Sequence, residues 1–197
     1  MRLILASGSA SRQRMLAAAG VPFDVRPADI DENGLTAGLL QRDVNALGIA
    51  AALASAKALA VSRQKPDTVV LGGDSVLALG TELISKCSDL GALRMLLKRL
   101  SGQTHQLISA ASLARNGQEI WHHANMARLT MRPLSDAFID SYLAAEGERV
   151  LSSVGGYHYE GRGAQLFQHV EGDSFTVMGL PLLPVLEALR NQGILGT

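Results

Sequence analysis

Two runs with β character, residues 104–115 and 118–131, meet at Asn116-Gly117. Both central positions of a type I′ turn need positive φ, which asparagine and glycine reach at low cost, so the pair predicts one long antiparallel hairpin. A hairpin of that length needs further strands or helices to bury its apolar face. Strands are expected at Leu3-Ile4-Leu5-Ala6, within Pro22-Phe23-Asp24-Val25-Arg26-Pro27, at 68–73, at 76–79 and at Ala164-Gln165-Leu166-Phe167. Helical spacing is seen from Arg12 to Gly20, from about Arg42 to Arg63, from Ser88 to Leu100, from the cap Ser135 to Glu146 before Gly147, and from Pro181 to Arg190. Strands alternating with helices around one hairpin predict an α/β fold with a mixed sheet flanked by helices. A length of 197 residues fits a single domain spanning 1–197.

Composition removes several classes of function. With 18 basic and 18 acidic residues there is no net field to grip a nucleic-acid backbone. No apolar run approaches a membrane span, no secretory leader is evident, and one cysteine cannot form an internal disulfide, so a cytoplasmic setting is expected. Cys87 reads as a small packing residue. The five histidines show neither helical pairing nor cysteine companions, which argues against structural zinc. Neither a P-loop nor a dinucleotide-binding glycine pattern is present.

The residues with chemical potential cluster at turns. After the first strand comes Ser7-Gly8-Ser9-Ala10-Ser11, and a helix opening there would aim unpaired N–H groups and its positive dipole end at an anion such as phosphate, with Arg12 able to reach back. An ordinary serine N-cap would look the same. Asp74 is expected at the end of the 68–73 strand, where α/β sheets place ligands, although a turn aspartate after two glycines is equally consistent. Asp31 and Glu32 fall in an acidic loop and could share a divalent ion with Asp74 and substrate phosphates, or simply be solvated. Lys57, inside an apolar helix, and Lys86 are candidate point charges for phosphate, with snorkelling side chains as the alternative.

In order along residues 2–190, Leu5-Ala6-Ser7-Gly8-Ser9 with Arg12, Asp31-Glu32, Leu71-Gly72-Gly73-Asp74, Lys86, Leu100 to His105 and Val177-Met178-Gly179-Leu180-Pro181-Leu182 resemble the Maf family of nucleoside triphosphate pyrophosphatases. The resemblance implies an elongated mixed sheet in two lobes with a cleft between them, of the Maf and inosine-triphosphatase kind. It implies hydrolysis of a nucleoside triphosphate to monophosphate and pyrophosphate with a divalent metal, Mg²⁺ or Mn²⁺. Asp74 would be the proton acceptor for a water attacking the α-phosphorus, and Glu32 and Asp74 would hold the metal. Lys86 joins that catalytic set, and Ser7, Ser9, Arg12 and Lys57 match cleft and phosphate ligands. A homodimer is also implied, with the tip at Asn116-Gly117 a candidate contact.

Base preference rests on three positions. Ser11 stands where the family usually has arginine or tryptophan, and Ser75 where it has threonine or glutamine, so neither discriminates. Glu160 matches the branch acting on 7-methyl-GTP, whereas the branch acting on dTTP and UTP tends to carry glutamine. A carboxylate suits the two donors on one edge of guanine, and Tyr157 or Tyr159 would have to supply the stacking surface that Ser11 cannot. Two other classes stand beside the enzyme: a non-catalytic nucleotide sensor regulating cell division, which would need no Asp74 base, and a serine hydrolase on Ser7 or Ser9, for which the nucleophile elbow is missing.

Overall fold

The computed structural model describes residues 2–196. Its centre is a seven-stranded mixed sheet in the order β2-β1-β3-β5-β6-β7, with β4 also pairing with β3. β1 (Leu3–Leu5) runs parallel to both β2 (Phe23–Val25) and β3 (Val70–Leu79). β3 is antiparallel to β4 (Glu82–Ile84) and β5 (Thr104–Arg115), and β6 (Gln118–Met131) is antiparallel to β5 and to β7 (Phe167–Glu171). The hairpin closes with Arg115 opposite Gln118, and Asn116 and Gly117 hold φ of 53° and 74°, as the type I′ turn demands. Its tip is tied down: Asn116 Oδ1 accepts from the Asp67 N–H at 2.7 Å, and the Gly117 N–H donates to Ser62 Oγ at 2.9 Å.

The helices are α1 (Ala10–Ala18), α2 (Glu32–Leu40), α3 (Ala46–Ser62), α4 (Leu90–Leu100), α5 (Asp136–Glu146), α6 (Ser174–Met178) and α7 (Leu182–Asn191). α3 is alanine-rich because it lies directly on the sheet. A Cβ added at Gly72 would stand 2.1 Å from the Ala54 carbonyl oxygen and 2.7 Å from the Ala58 nitrogen, so this backbone approach requires glycine. Two large apolar clusters form at opposite ends of the long strands. One joins Leu77 and Leu107 to Leu93, Leu97 and Ile139, and the other joins Leu71 and Leu113 to Leu16 and Val185.

Three expectations need correction. The acidic segment is not a loop throughout: Asp31 caps α2, its side chain accepting from the Gly34 N–H, and Glu32 is the first helical residue. The strand expected at 164–167 begins at Phe167, because Arg162–Leu166 wind into a 3₁₀ turn. Asp74 is not at a strand end. β3 runs unbroken through Gly72-Gly73-Asp74, the glycines serving close packing rather than a turn.

What β3 does have at Asp74 is a break along one edge. On that edge β1 pairs with Val70 and Leu71 and β4 pairs with Leu77, Ala78 and Leu79, while Gly72 to Val76 lie between the two short strands. Strands diverging beside a common neighbour leave a crevice, the usual place for a ligand in an α/β sheet. Among the described residues, no helix is long and apolar enough to cross a membrane.

Candidate active site

Residues of β3 alternate between faces of the sheet, so Asp74 shares the α3 side with Gly72. There Lys57 of α3 donates to Asp74 Oδ1 at 2.7 Å and stands 2.8 Å from Glu32 Oε2. Lys57 is 8% exposed and Asp74 7%, whereas the Glu32 side chain is 49% exposed. Removing a lone carboxylate from water is costly, and the ammonium offsets that cost for Asp74. One cation thus holds two carboxylates, from β3 and from the start of α2, at a common point beside the crevice. Lys57, expected as a phosphate ligand, is committed to these two acids.

The opposite face carries Arg12. Its Nε donates to the Gly179 carbonyl at 2.7 Å, Nη1 to Ser7 Oγ at 3.0 Å and Nη2 to Ser75 Oγ at 2.9 Å. Burial lowers the pKa of this guanidinium, and Asp74 and Glu32 act in the other direction, so the charge is retained. Ser75 Oγ also lies 2.9 Å from Ser109 Oγ, and Ser109 donates to the Thr176 carbonyl at 2.8 Å. Ser11 donates to the Met178 carbonyl at 2.8 Å. The positions Ser11 and Ser75 therefore serve the internal frame, and Arg12 anchors the α6 segment rather than reaching freely into the crevice.

The serine loop combines both readings offered by its sequence. Ser9 is the N-cap of α1, accepting from the Arg12 N–H, and Ser7 Oγ accepts from the Ser9 N–H at 3.3 Å. Ser7 is buried where the loop leaves β1, whose last ladder contact is the Ala6 N–H to Leu71 carbonyl bond at 2.8 Å. Lys86 lies two residues beyond Ile84, whose partner is Leu77, on a chain heading back along β3 toward Ser75. It is exposed and makes no ion pair or hydrogen bond among the described residues. The serine loop thus leaves β1 beside Leu71 and the chain carrying Lys86 leaves β4 beside Leu77, at the two ends of the break.

Glu160 sits on the side of the first apolar cluster, the one built on Leu77 and Leu107. Its Oε1 accepts from Arg14 Nη2 at 2.7 Å. Partial burial would raise its pKa, but its own backbone N–H and Arg14 outweigh that and hold it below the usual carboxylate range. Tyr157 cannot stack on a base: it is buried, with its hydroxyl 2.8 Å from His105 Nε2. Tyr159 is only partly buried and remains available. Sequence reasoning overlooked Arg14, Ser109 and the helical form of the α6 segment. Ser109 left one trace, a hydroxyl among the apolar residues 107–111; Arg14 left none, and of α6 only Val177-Met178 stood in the family motif.

The Maf-like protein family matches residues 2–192. The chain belongs to the Maf family. Maf relatives share nearly its whole length. A protein named 7-methyl-GTP pyrophosphatase from Mesorhizobium japonicum is 48% identical over 98% of this chain and 96% of its own. One of the same name from Brucella abortus is 45% identical over 98% and 96%. A protein named nucleoside triphosphate pyrophosphatase from Rhodopseudomonas palustris is 46% identical over 98% and 95%. A solved HAM1 protein from Coxiella burnetii, 16% identical, aligns with 66% of this Maf chain and 73% of its own at a TM-score of 0.46.

The donor set at Asp74 and Glu32 fits a hard divalent cation. Mg²⁺ takes one or two protein carboxylates and completes its shell with water and substrate phosphate oxygens. No group of three or more His, Cys, Asp or Glu side chains converges among the described residues, which does not match an all-protein cage.

Proposed function

We propose that this chain hydrolyses nucleoside triphosphates to the monophosphate and pyrophosphate, with metal assistance and with 7-methyl-GTP as a preferred substrate. The observation that carries the reading is Lys57 holding Asp74 and Glu32 together at the break in the sheet edge. Water oxygen bonds to the α-phosphorus, the bridging α–β P–O bond breaks, and pyrophosphate leaves with the electron pair. Asp74 takes the water proton on Oδ2, since Oδ1 is held by Lys57. Glu32 and Asp74 would hold the divalent ion, whose charge would stabilise the phosphate oxygens. Lys86 and the N–H groups of the serine loop face the negative charge that grows on the leaving group. Arg12 fixes Ser7 and the Gly179 turn.

Glu160 supports the base preference, because an ionised carboxylate accepts from the N1–H and N2 amine edge of guanine and favours a positively charged methylated ring. The relatives named for 7-methyl-GTP support the same choice.

The test is pyrophosphate release from 7-methyl-GTP, GTP, dTTP, UTP and ATP with Mg²⁺ or Mn²⁺, alongside Asp74→Asn and a chelator. Loss of the base is expected to lower kcat by about 10²–10⁴-fold, and chelation is expected to abolish turnover. Nucleotide binding without turnover of any substrate would refute the enzyme and favour a sensor.

A further inference from the structure

Arg14 stands one turn beyond Ser11 on α1, so the two residues share a helix face. Ser11 is small and turns its hydroxyl inward to Met178, which leaves that face open. Arg14 reaches across it to Glu160, a residue 146 positions away. The pair joins the two halves of the molecule: α1 packs through Met15 and Leu16 into one apolar cluster, and the Glu160 segment packs through Tyr157 and Leu166 into the other. Both partners stay accessible, with side chains 60% and 38% exposed.

The chemistry of the pair is suggestive. A guanidinium presents neighbouring N–H donors in one plane to a carboxylate. The N1–H and N2 amine of guanine present the same pattern on one edge.

We infer that Arg14 is a specificity-determining residue that occupies Glu160 as a stand-in for the guanine edge, so that an entering base must displace it. This rests on the reading of Glu160 as the base-recognising residue. Arg14 uses one donor, Nη2, on Oε1 alone; a pyrimidine offers one N–H donor and at best repeats that single contact, whereas guanine brings a second donor for Oε2 and so competes with Arg14 better. A methylated, cationic guanine also meets the charge of the displaced arginine, so the barrier weighs on it most, and the pair works as a repulsive filter as well as a lock.

The experiment measures KM and kcat for 7-methyl-GTP, GTP and UTP with wild type, Arg14→Ala, Glu160→Gln and the double variant, and measures GMP binding by calorimetry. Arg14→Ala is expected to lower KM for both guanine substrates by about two- to five-fold, the range an exposed ion pair supplies. The larger gain should fall on 7-methyl-GTP, the effect should lie in KM rather than kcat, and GMP should bind more tightly by a similar factor. In the Glu160→Gln background the same substitution should do nothing. If Arg14→Ala leaves guanine KM unchanged or raises it while Glu160→Gln still reorders the substrates, the stand-in role is overturned and the base reading survives. If Glu160→Gln leaves the ranking unchanged, the base reading fails and the proposal falls with it.

Discussion

Replacing His105 with glutamine should remove most of this protein's loss of stability in mild acid. His105 is fully buried, with Nε2 2.8 Å from Tyr157 Oη and its ring near Phe167. Its Nδ1 is buried with no hydrogen-bond partner among the described residues, so a proton added there would be left unsatisfied. Burial accordingly pushes its pKa down from 6.5 to about 4. The sign follows from which state takes the proton first. As pH falls below 6.5 the unfolded chain protonates this histidine and the folded one does not, so stability drains away until the folded value is reached and then levels off. Near pH 5 the gap is about 1.5 pH units, each worth about 1.4 kcal/mol, or about 2 kcal/mol in all. Urea unfolding of wild type and His105→Gln at about pH 7.5 and about pH 5 measures it. Glutamine can keep a hydrogen bond to Tyr157 but does not titrate, and the exposed histidines contribute equally to both proteins. Equal losses in the two proteins would refute the assignment.

Gly72→Ala should cost at least about 1–3 kcal/mol, since the new methyl meets helix backbone that can yield only by moving α3. Activity should fall with it, because α3 carries Lys57; urea midpoints and pyrophosphate release measure the two effects. Ser109→Ala removes one of the two donors to the Thr176 carbonyl, the Gly179 N–H remaining, and takes one partner from Ser75, so a loss of about 0.5–1.5 kcal/mol is expected. Its kinetic effect should fall on KM through Arg12, as steady-state kinetics on the wild-type substrate would show.

The parts of the fold legible in the sequence were those whose signals are local. Asn116-Gly117 set the hairpin to the residue because turn chemistry is decided by two φ angles. Ser135 and Gly147 bounded α5 because caps are decided by one side chain and one backbone conformation. α2 escaped notice because it buries no residue, so its sequence carries no amphipathic stripe to read. Gly72-Gly73 misled for a different reason: glycine marks both turns and close approaches, and only the position of α3 distinguishes them. At the site, residue types were readable and pairings were not. Lys57 and Arg12 both read as cations for phosphate. The partners that occupy them, Glu32, Asp74, Ser75 and Gly179, lie up to 167 residues away, where periodicity carries no information.

A mid-strand position for Asp74, the proposed base, has a physical consequence that a loop position would lack. Asp74 is fixed by strand β5 at its side and Lys57 above it, so its position is set by the packed sheet. The other proposed site groups are mounted differently: Glu32 on a helix with no buried residue, Lys86 on an exposed irregular segment, and Glu160 on a segment tied across by an exposed ion pair. Exposed pairs and unburied helices open at little energetic cost, whereas buried strands open only with the whole domain. The proposed proton acceptor is therefore held by packing while the groups around it can open at little cost, and the two apolar clusters at either end of β3 and β5 anchor the elements that carry them.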